Sequence, residues 1–96
     1  ARVVEVFNAS GRKGLAAAAA RRLRALGFNV ITESSPPPIE KQTRLLGFSS
    51  DTAAALKLRE ALGLEELEIR VRPSQKSVAG AAVVLGVDFD ERKLGR

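Results

Sequence analysis

Residues 14–33 constrain the fold of this 96-residue chain more than any other segment. Residues 15–26 are rich in Ala and Leu, which favour a helix. Their apolar side chains recur at helical spacing on one face, at Leu15, Ala19, Leu23 and Leu26. Gly27 stands where a left-handed residue commonly ends a helix, and residues 28–33 carry the β-branched pattern of a strand. The segment therefore predicts a helix that turns sharply into a strand.

A short apolar segment precedes this helix. Residues 3–7 are mostly β-branched, and they run into turn-forming residues at positions 8–11. A strand, a helix and a second strand joined by short connections form a right-handed βαβ unit, in which the two strands are parallel. The first third of the chain therefore predicts a parallel strand pair with a helix packed on it.

The remainder of the chain adds a second helix and further strands. Three prolines at positions 36–38 predict a stiff extended loop. Strands are predicted over residues 41–48, 66–72 and 81–87, and a helix over residues 53–62. The order β-α-β-β-α-β-β indicates an α/β domain of the two-layer α+β type. It predicts a mixed sheet of about four to five strands with two helices on one face.

The end of the chain is polar. We expect residues 1–89 to form one domain and residues 90–96 to be a charged, flexible tail. Asp88 and Asp90 flank Phe89 at i, i+2 spacing, which would place both carboxylates on one side of a strand. Two carboxylates make a sparse cation site, so the favoured interpretation is that they terminate the strand. An enzyme would need them clustered with another acid such as Glu5.

The composition excludes several classes of chemistry. The chain has no Cys and no His, which rules out disulfides, zinc sites built on those residues, and His-dependent nucleophiles. We therefore predict no metal, no cofactor and no enzymatic activity. The net charge of +5 favours anionic partners. The four Phe do not supply the aromatic platform of a single-strand nucleic-acid binder, so nucleic acid is not an expected partner.

No apolar run approaches the roughly 20 residues that span a bilayer. The chain begins on a strand-like pattern without an initiator Met, and no signal peptide is visible. We expect it to be a piece of a longer protein, associated with a membrane only through a segment upstream.

One loop has the features of a binding site. Two glycines there permit a tight turn at a helix N-terminus, whose free N–H groups and two neighbouring cations favour an anion. The predicted anion-binding residues are Asn8, Ser10, Gly11, Arg12, Lys13 and Gly14. The sequence favours a purely structural interpretation over this one: Asn8 and Ser10 bond back to the loop backbone while the glycines turn the chain.

The same loop carries a family resemblance. Residues 4–16 read VEVFNASGRKGLA, residues 27–30 read GFNV, and residues 83–88 read VVLGVD. This pattern resembles the LytR C-terminal domain family, whose members show V-x-V-x-N-x-[ST]-G-x-x-G-L-A, then G-F-x-V, and close on V-V-L-G-x-D. The resemblance covers about residues 2–88. It departs at residues 46–50, which read LGFSS where relatives often carry an aromatic residue and Pro-Gly.

The resemblance implies an extracytoplasmic accessory domain of a bacterial cell-envelope protein. Such domains commonly follow a LytR-CpsA-Psr phosphotransferase domain, which attaches polymers to peptidoglycan, or a single membrane helix. The family has no established catalytic residues, so the expected role is a binding module. Its expected partner is a cell-wall polymer, a lipid-linked phosphorylated precursor, or an envelope protein. The alternative is an interaction or oligomerisation domain that uses a sheet face or an edge strand, residues 41–48 or 66–72.

Overall fold

The structure is a computed structural model that describes residues 3–33 and 35–94. Its strands are β1 (Val3–Asn8), β2 (Asn29–Thr32), β3 (Arg44–Gly47), β4 (Ile69–Val71) and β5 (Ala81–Leu85). Its helices are α1 (Leu15–Ala25), α2 (Ala53–Ala61) and a short 3-10 helix (Glu91–Leu94). The predicted order of strands and helices is confirmed, and the 3-10 helix is added at its end.

The strands form one mixed sheet of five strands in the order β2-β1-β5-β3-β4. β1 pairs in parallel with both β2 and β5, and β3 pairs in parallel with β4. The two groups meet where β3 pairs antiparallel with β5. All five residues of β5 are buried, as is typical of a strand with a continuous run of apolar residues. Val87 lies beyond the end of this strand and is exposed.

Both helices pack on the same face of the sheet, as predicted. Alternate strand residues, including Val4, Val6 and Val83, point to that face and belong to one core cluster with both helices. The helices contribute Leu15, Ala19 and Leu23 from α1, and Ala55 and Leu58 from α2.

The prediction that Leu26 belongs to the apolar face of α1 is wrong. This side chain is 46% exposed. The helix ends at Ala25, and the chain turns at Leu26 toward Gly27, whose φ is +96°. The turn carries Leu26 away from the stripe that the helical spacing would have continued.

The opposite face of the sheet is not covered by α1 or α2. In the register of the strands, Phe7 lies beside Val84, and Leu46 lies beside Ala82. Val84 and Ala82 are nevertheless buried. This open face also carries charged residues near its centre, Glu5 beside Ala82 and Arg44 beside Val84, and it ends at the exposed Arg70 on β4.

The two candidate edge strands differ in position. The segment 66–72 does contain an edge strand, since β4 is the last strand of the sheet. It is shorter than predicted, because the residues before Ile69 form turns, with the Leu67 N–H donating to the Leu64 carbonyl. The interpretation of residues 41–48 as an edge is wrong. β3 is paired on both sides, Leu45 lying between Ile69 and Val83.

The predicted tail, residues 90–96, lies only partly within the described residues. The 3-10 helix packs on the domain, with Leu94 against the core cluster. The Lys93 ammonium donates a hydrogen bond of 2.7 Å to the Gly63 carbonyl. Residues 95 and 96 lie outside the described part of the chain, and the flexibility of this segment remains a prediction.

We predict that Gly86→Ala destabilises the fold by about 3 kcal/mol, because the backbone after β5 would have to separate from the backbone before β3. A Cβ at Gly86 would lie 2.6 Å from the Gln42 carbonyl oxygen and 2.7 Å from the Thr43 nitrogen. The matched control is Gly27→Ala, where a Cβ meets no neighbour and only its positive φ opposes it, at roughly 1 kcal/mol. Denaturant unfolding measures both, and a smaller loss at Gly86 than at Gly27 would contradict the prediction.

Candidate functional site

The loop between β1 and α1 is held in shape by its own side chains. The Asn8 amide donates to the Arg12 carbonyl at 2.8 Å, and its oxygen accepts from the Ser10 N–H and hydroxyl at 3.1 and 2.6 Å. The Ser10 hydroxyl in turn accepts from the Arg12 N–H at 3.0 Å. Asn8 and Ser10 therefore bond back to the loop, as the structural interpretation of this sequence predicts.

Arg12 connects this loop to the other end of the chain. Its guanidinium donates to the Glu91 carboxylate at 2.6 Å, forming an ion pair, and to the Phe89 carbonyl at 2.7 Å. A longer bond reaches the Val87 carbonyl at 3.3 Å. These contacts neutralise the charge of Arg12 and occupy its donors. Arg12 is therefore engaged within the domain, unlike the open cation that the sequence suggests.

Lys13 and Gly14 have a different environment from Arg12. The Lys13 side chain is exposed, and within residues 3–33 and 35–94 it makes no hydrogen bond or ion pair. Gly14 directly precedes α1 and has a φ of +84°. Among the described residues, no side chain caps the helix, and its first turn holds no acidic residue. The first helical hydrogen bond runs from Ala18 to Gly14. The Leu15 N–H donates to the Arg12 carbonyl at 3.4 Å, so the N–H groups of Ala16 and Ala17 are those left without a partner among the described residues, at a helix end whose partial positive charge no acidic residue compensates.

A groove of about 310 Å³ opens beside this helix entrance. One side is formed by the loop, and the other by Pro36, Pro37 and Ile39. The proline segment is anchored at its end, since Glu40 donates its N–H to the Ala9 carbonyl at 2.8 Å. The Ile39 side chain is 66% exposed, so this wall presents an apolar surface to solvent.

The six predicted site residues all lie in this loop, but they have different positions. Four of them line the groove, namely Asn8, Gly11, Arg12 and Lys13. Ser10 is buried, and Gly14 directly precedes α1. The sequence interpretation missed the apolar wall. The sequence feature that could have indicated this wall is Ile39, an isolated apolar residue directly after three prolines in an otherwise polar stretch.

The acidic residues named as candidates for an enzyme, Asp88, Asp90 and Glu5, have separate neighbours in the structure. Asp88 accepts hydrogen bonds from the Thr43 N–H and hydroxyl at 2.8 and 2.7 Å. Asp90 is hydrogen-bonded to Arg92, which lowers the pKa of that carboxyl. Glu5 lies beside Ala82 in the sheet. Ala82 precedes Asp88 by six positions in the sequence. In the part of the chain that is described, no three acidic side chains cluster to hold a metal ion.

We predict that Arg12→Ala destabilises the domain by about 1–2 kcal/mol, because it removes the ion pair to Glu91 and the bonds to two carbonyls. The neighbouring Lys13→Ala is the matched control, and we expect it to change the stability by less than about 0.5 kcal/mol. Denaturant unfolding with far-UV circular dichroism measures both. Equal effects of the two substitutions would show that Arg12 does not hold the loop.

We predict that Thr43→Val costs about 1–3 kcal/mol. Thr43 is 5% exposed, and its hydroxyl accepts from the buried Gly86 N–H at 3.0 Å while donating to Asp88. Valine fills the same space but leaves that N–H without a partner. Thr43→Ser keeps the hydroxyl and should retain most of the stability. A serine variant as unstable as the valine variant would argue that packing of the methyl group matters instead.

The longest helix in the described residues, α1, has 11 residues. Among the helices that the structure describes, none is long and apolar enough to cross a bilayer.

Comparisons with known proteins agree with the resemblance seen in the sequence. The family model LytR_C, described as LytR cell envelope-related transcriptional attenuator, matches residues 2–89. None of the curated proteins matches the chain.

Two solved structures are similar to this chain. One is the soluble domain (residues 71–217) of a conserved hypothetical secreted protein, the Rv2700 ortholog from Mycobacterium marinum. It is 26% identical with a TM-score of 0.67, and the match covers 93% of this chain and 61% of that one. This chain therefore spans less than two thirds of that domain. The other is the C-terminal domain of RV0431, which is 28% identical with a TM-score of 0.56, over 90% of this chain and 72% of that one.

Proposed function

This chain belongs to the LytR_C family, and from that membership we propose that it is a non-catalytic accessory domain of an extracytoplasmic cell-envelope protein. We further propose that it binds an anionic wall polymer or its phosphorylated precursor. The M. marinum relative is described as secreted, which supports the extracytoplasmic part of the proposal. The observation that carries the ligand part is the groove, in which the exposed Lys13 lies across from the apolar wall of Pro36, Pro37 and Ile39, close to the start of α1.

The two sides of the groove suit the two parts of such a ligand. A phosphate oxygen beside Lys13 would accept hydrogen bonds from the uncapped N–H groups of α1 and gain from the helix dipole. The carbon skeleton of a sugar or prenyl chain would pack on Pro36 and Ile39. The hydrogen bonds among Asn8, Ser10 and Arg12 hold the loop before a ligand arrives, which lowers the entropy lost on binding.

The chemistry of the domain supports a role without catalysis. The chain lacks His and Cys, the side chains that most often act as bases and nucleophiles near neutral pH. Its remaining candidates are carboxylates and lysines, and Asp88 and Asp90 are both engaged by neighbours within the domain. Among the described residues that line the groove, Lys13 is a lysine and none is acidic, so no acid–base pair is formed there.

A protein-interaction role is the second candidate. It is favoured by the open face of the sheet, where Phe7 and Leu46 lie partly exposed beside the central strand. Partly exposed apolar side chains on a flat face are typical of surfaces that receive another protein. This role needs no ligand in the groove.

We predict that a polyprenyl phosphate in micelles shifts the backbone amide resonances of residues 11–17 in an NMR titration, and that Lys13→Gln weakens its binding about fivefold. The control variant is Lys76→Gln, which removes an exposed lysine in the loop before β5 and should leave the affinity unchanged.

Two further titrations serve as controls. Neutral muropeptides test whether the sugar alone causes the shifts, and empty micelles test whether the detergent causes them. A titration in which no ligand shifts residues 11–17 would overturn the groove proposal. Shifts confined to the open face of the sheet would support the protein-interaction role.

A further inference from the structure

β4 has one side that no strand of the described chain occupies. It is the last strand of the sheet and pairs only with β3. The Arg72 N–H donates to the Gly47 carbonyl at 2.7 Å, so the backbone groups of Arg72 face β3. Because these groups alternate along a strand, those of Ile69 and Val71 face outward. The free side therefore presents donors and acceptors to a further strand.

The charges along this strand change sign about Ile69. The sequence of residues 66–72 is ELEIRVR, with acids before Ile69 and arginines after it. If two copies of the chain pair antiparallel with Ile69 opposite itself, Glu68 of each copy lies opposite Arg70 of the other. Opposite charges attract in such cross-strand pairs. The segment is thus complementary to itself in this one direction of pairing.

The backbone geometry selects the same register. Because the backbone groups of Ile69 face outward, the Ile69 residues of the two copies would form a hydrogen-bonded pair. Glu68 of one copy and Arg70 of the other would then form the neighbouring, non-hydrogen-bonded pair, in which opposing side chains are closest. Moving the register by two residues places Arg70 opposite itself, and like charges directly opposite destabilise the pair. The hydrogen bonds and the charges therefore favour a single arrangement.

The residues of this edge are available for pairing. Glu68 and Arg70 are exposed, and neither makes an ion pair or side-chain hydrogen bond with the described residues. The Leu67 carbonyl already accepts a bond of 3.2 Å from Arg59, which limits the paired segment to the few residues around Ile69. The other edge strand, β2, has no charged residue within it.

We propose that β4 is a self-association edge, at which two copies of this chain pair antiparallel about Ile69 and join their sheets into one. The occupant of the edge is a second copy, because the charge pattern is complementary to itself. The paired segment is short, so the dimer is weak and reversible. This proposal does not rest on the function of the groove, which lies at the opposite side of the sheet near β1.

Sedimentation equilibrium of the 96-residue chain at low salt tests the proposal. We expect a concentration-dependent dimer that weakens as salt is added, because exposed charges are screened. Glu68→Arg and Arg70→Glu each place like charges opposite at both pairs, and each should raise the dimer dissociation constant about tenfold or more. An equimolar mixture of these two variants restores opposite charges at both pairs and should form a heterodimer of at least wild-type affinity.

The controls separate pairing from general charge effects and from unfolding. Lys57→Glu makes the same change in net charge as Arg70→Glu, at an exposed position on α2, and should leave the dimer unchanged. The double variant Glu68→Arg/Arg70→Glu reverses both partners and should regain wild-type association. A wild-type chain that stays monomeric to about 1 mM would overturn the proposal. So would dimerisation insensitive to Arg70→Glu, or no recovery in the mixture.

Discussion

The burial of β5 on both faces is the constraint on which the rest of the structure depends. A strand of small and β-branched residues has no polar side chain to offer water, so it must lie in the middle of the sheet. β1 and β3 lie on either side of it, and both helices cover one face through Val83 and its neighbours. Ala82 and Val84 point to the other face and are buried there as well, although neither helix covers them. The domain thus has one covered face and one open face.

The loop at the start of α1 depends on the end of this central strand. Arg12 bonds to carbonyls of residues that directly follow β5, and the Ala9 N–H donates to the Leu85 carbonyl at 2.8 Å. The guanidinium of Arg12 is therefore used to fix the loop. The charge left over is that of Lys13, which stands beside an uncapped helix. Arg12 and Lys13 differ because only Arg12 reaches the carbonyls that follow β5.

Much of this architecture is readable from the sequence, because it follows from local patterns. The run of apolar residues at positions 81–87 predicts the central strand, and Gly27 predicts the end of α1. What the patterns do not contain is the neighbour of each strand. The residues of β3 have the same apolar alternation at an edge or inside a sheet, so its interior position was not predictable from them. Pairing is a long-range property that short periodicities do not encode.

The same limit applies to the site. The turn chemistry of Asn8 and Ser10 is local, and the sequence suggests it directly. The engagement of Arg12 requires Glu91, which follows 79 residues later, and the apolar wall requires the proline segment to fold back beside the loop. Residue types therefore identify this loop as a candidate, whereas only the fold distinguishes a cation that holds the loop from one that faces solvent.

The position of β5 in the strand order also bears on how the domain folds. β1 and β2 form one parallel pair and β3 and β4 form another, and these pairs touch through the last strand of the chain. The sheet cannot close until residues 81–85 insert between two elements that are distant in sequence. Folds built on such non-local pairings form slowly relative to helical domains of similar size. During synthesis, the two strand pairs must wait for the segment that joins them.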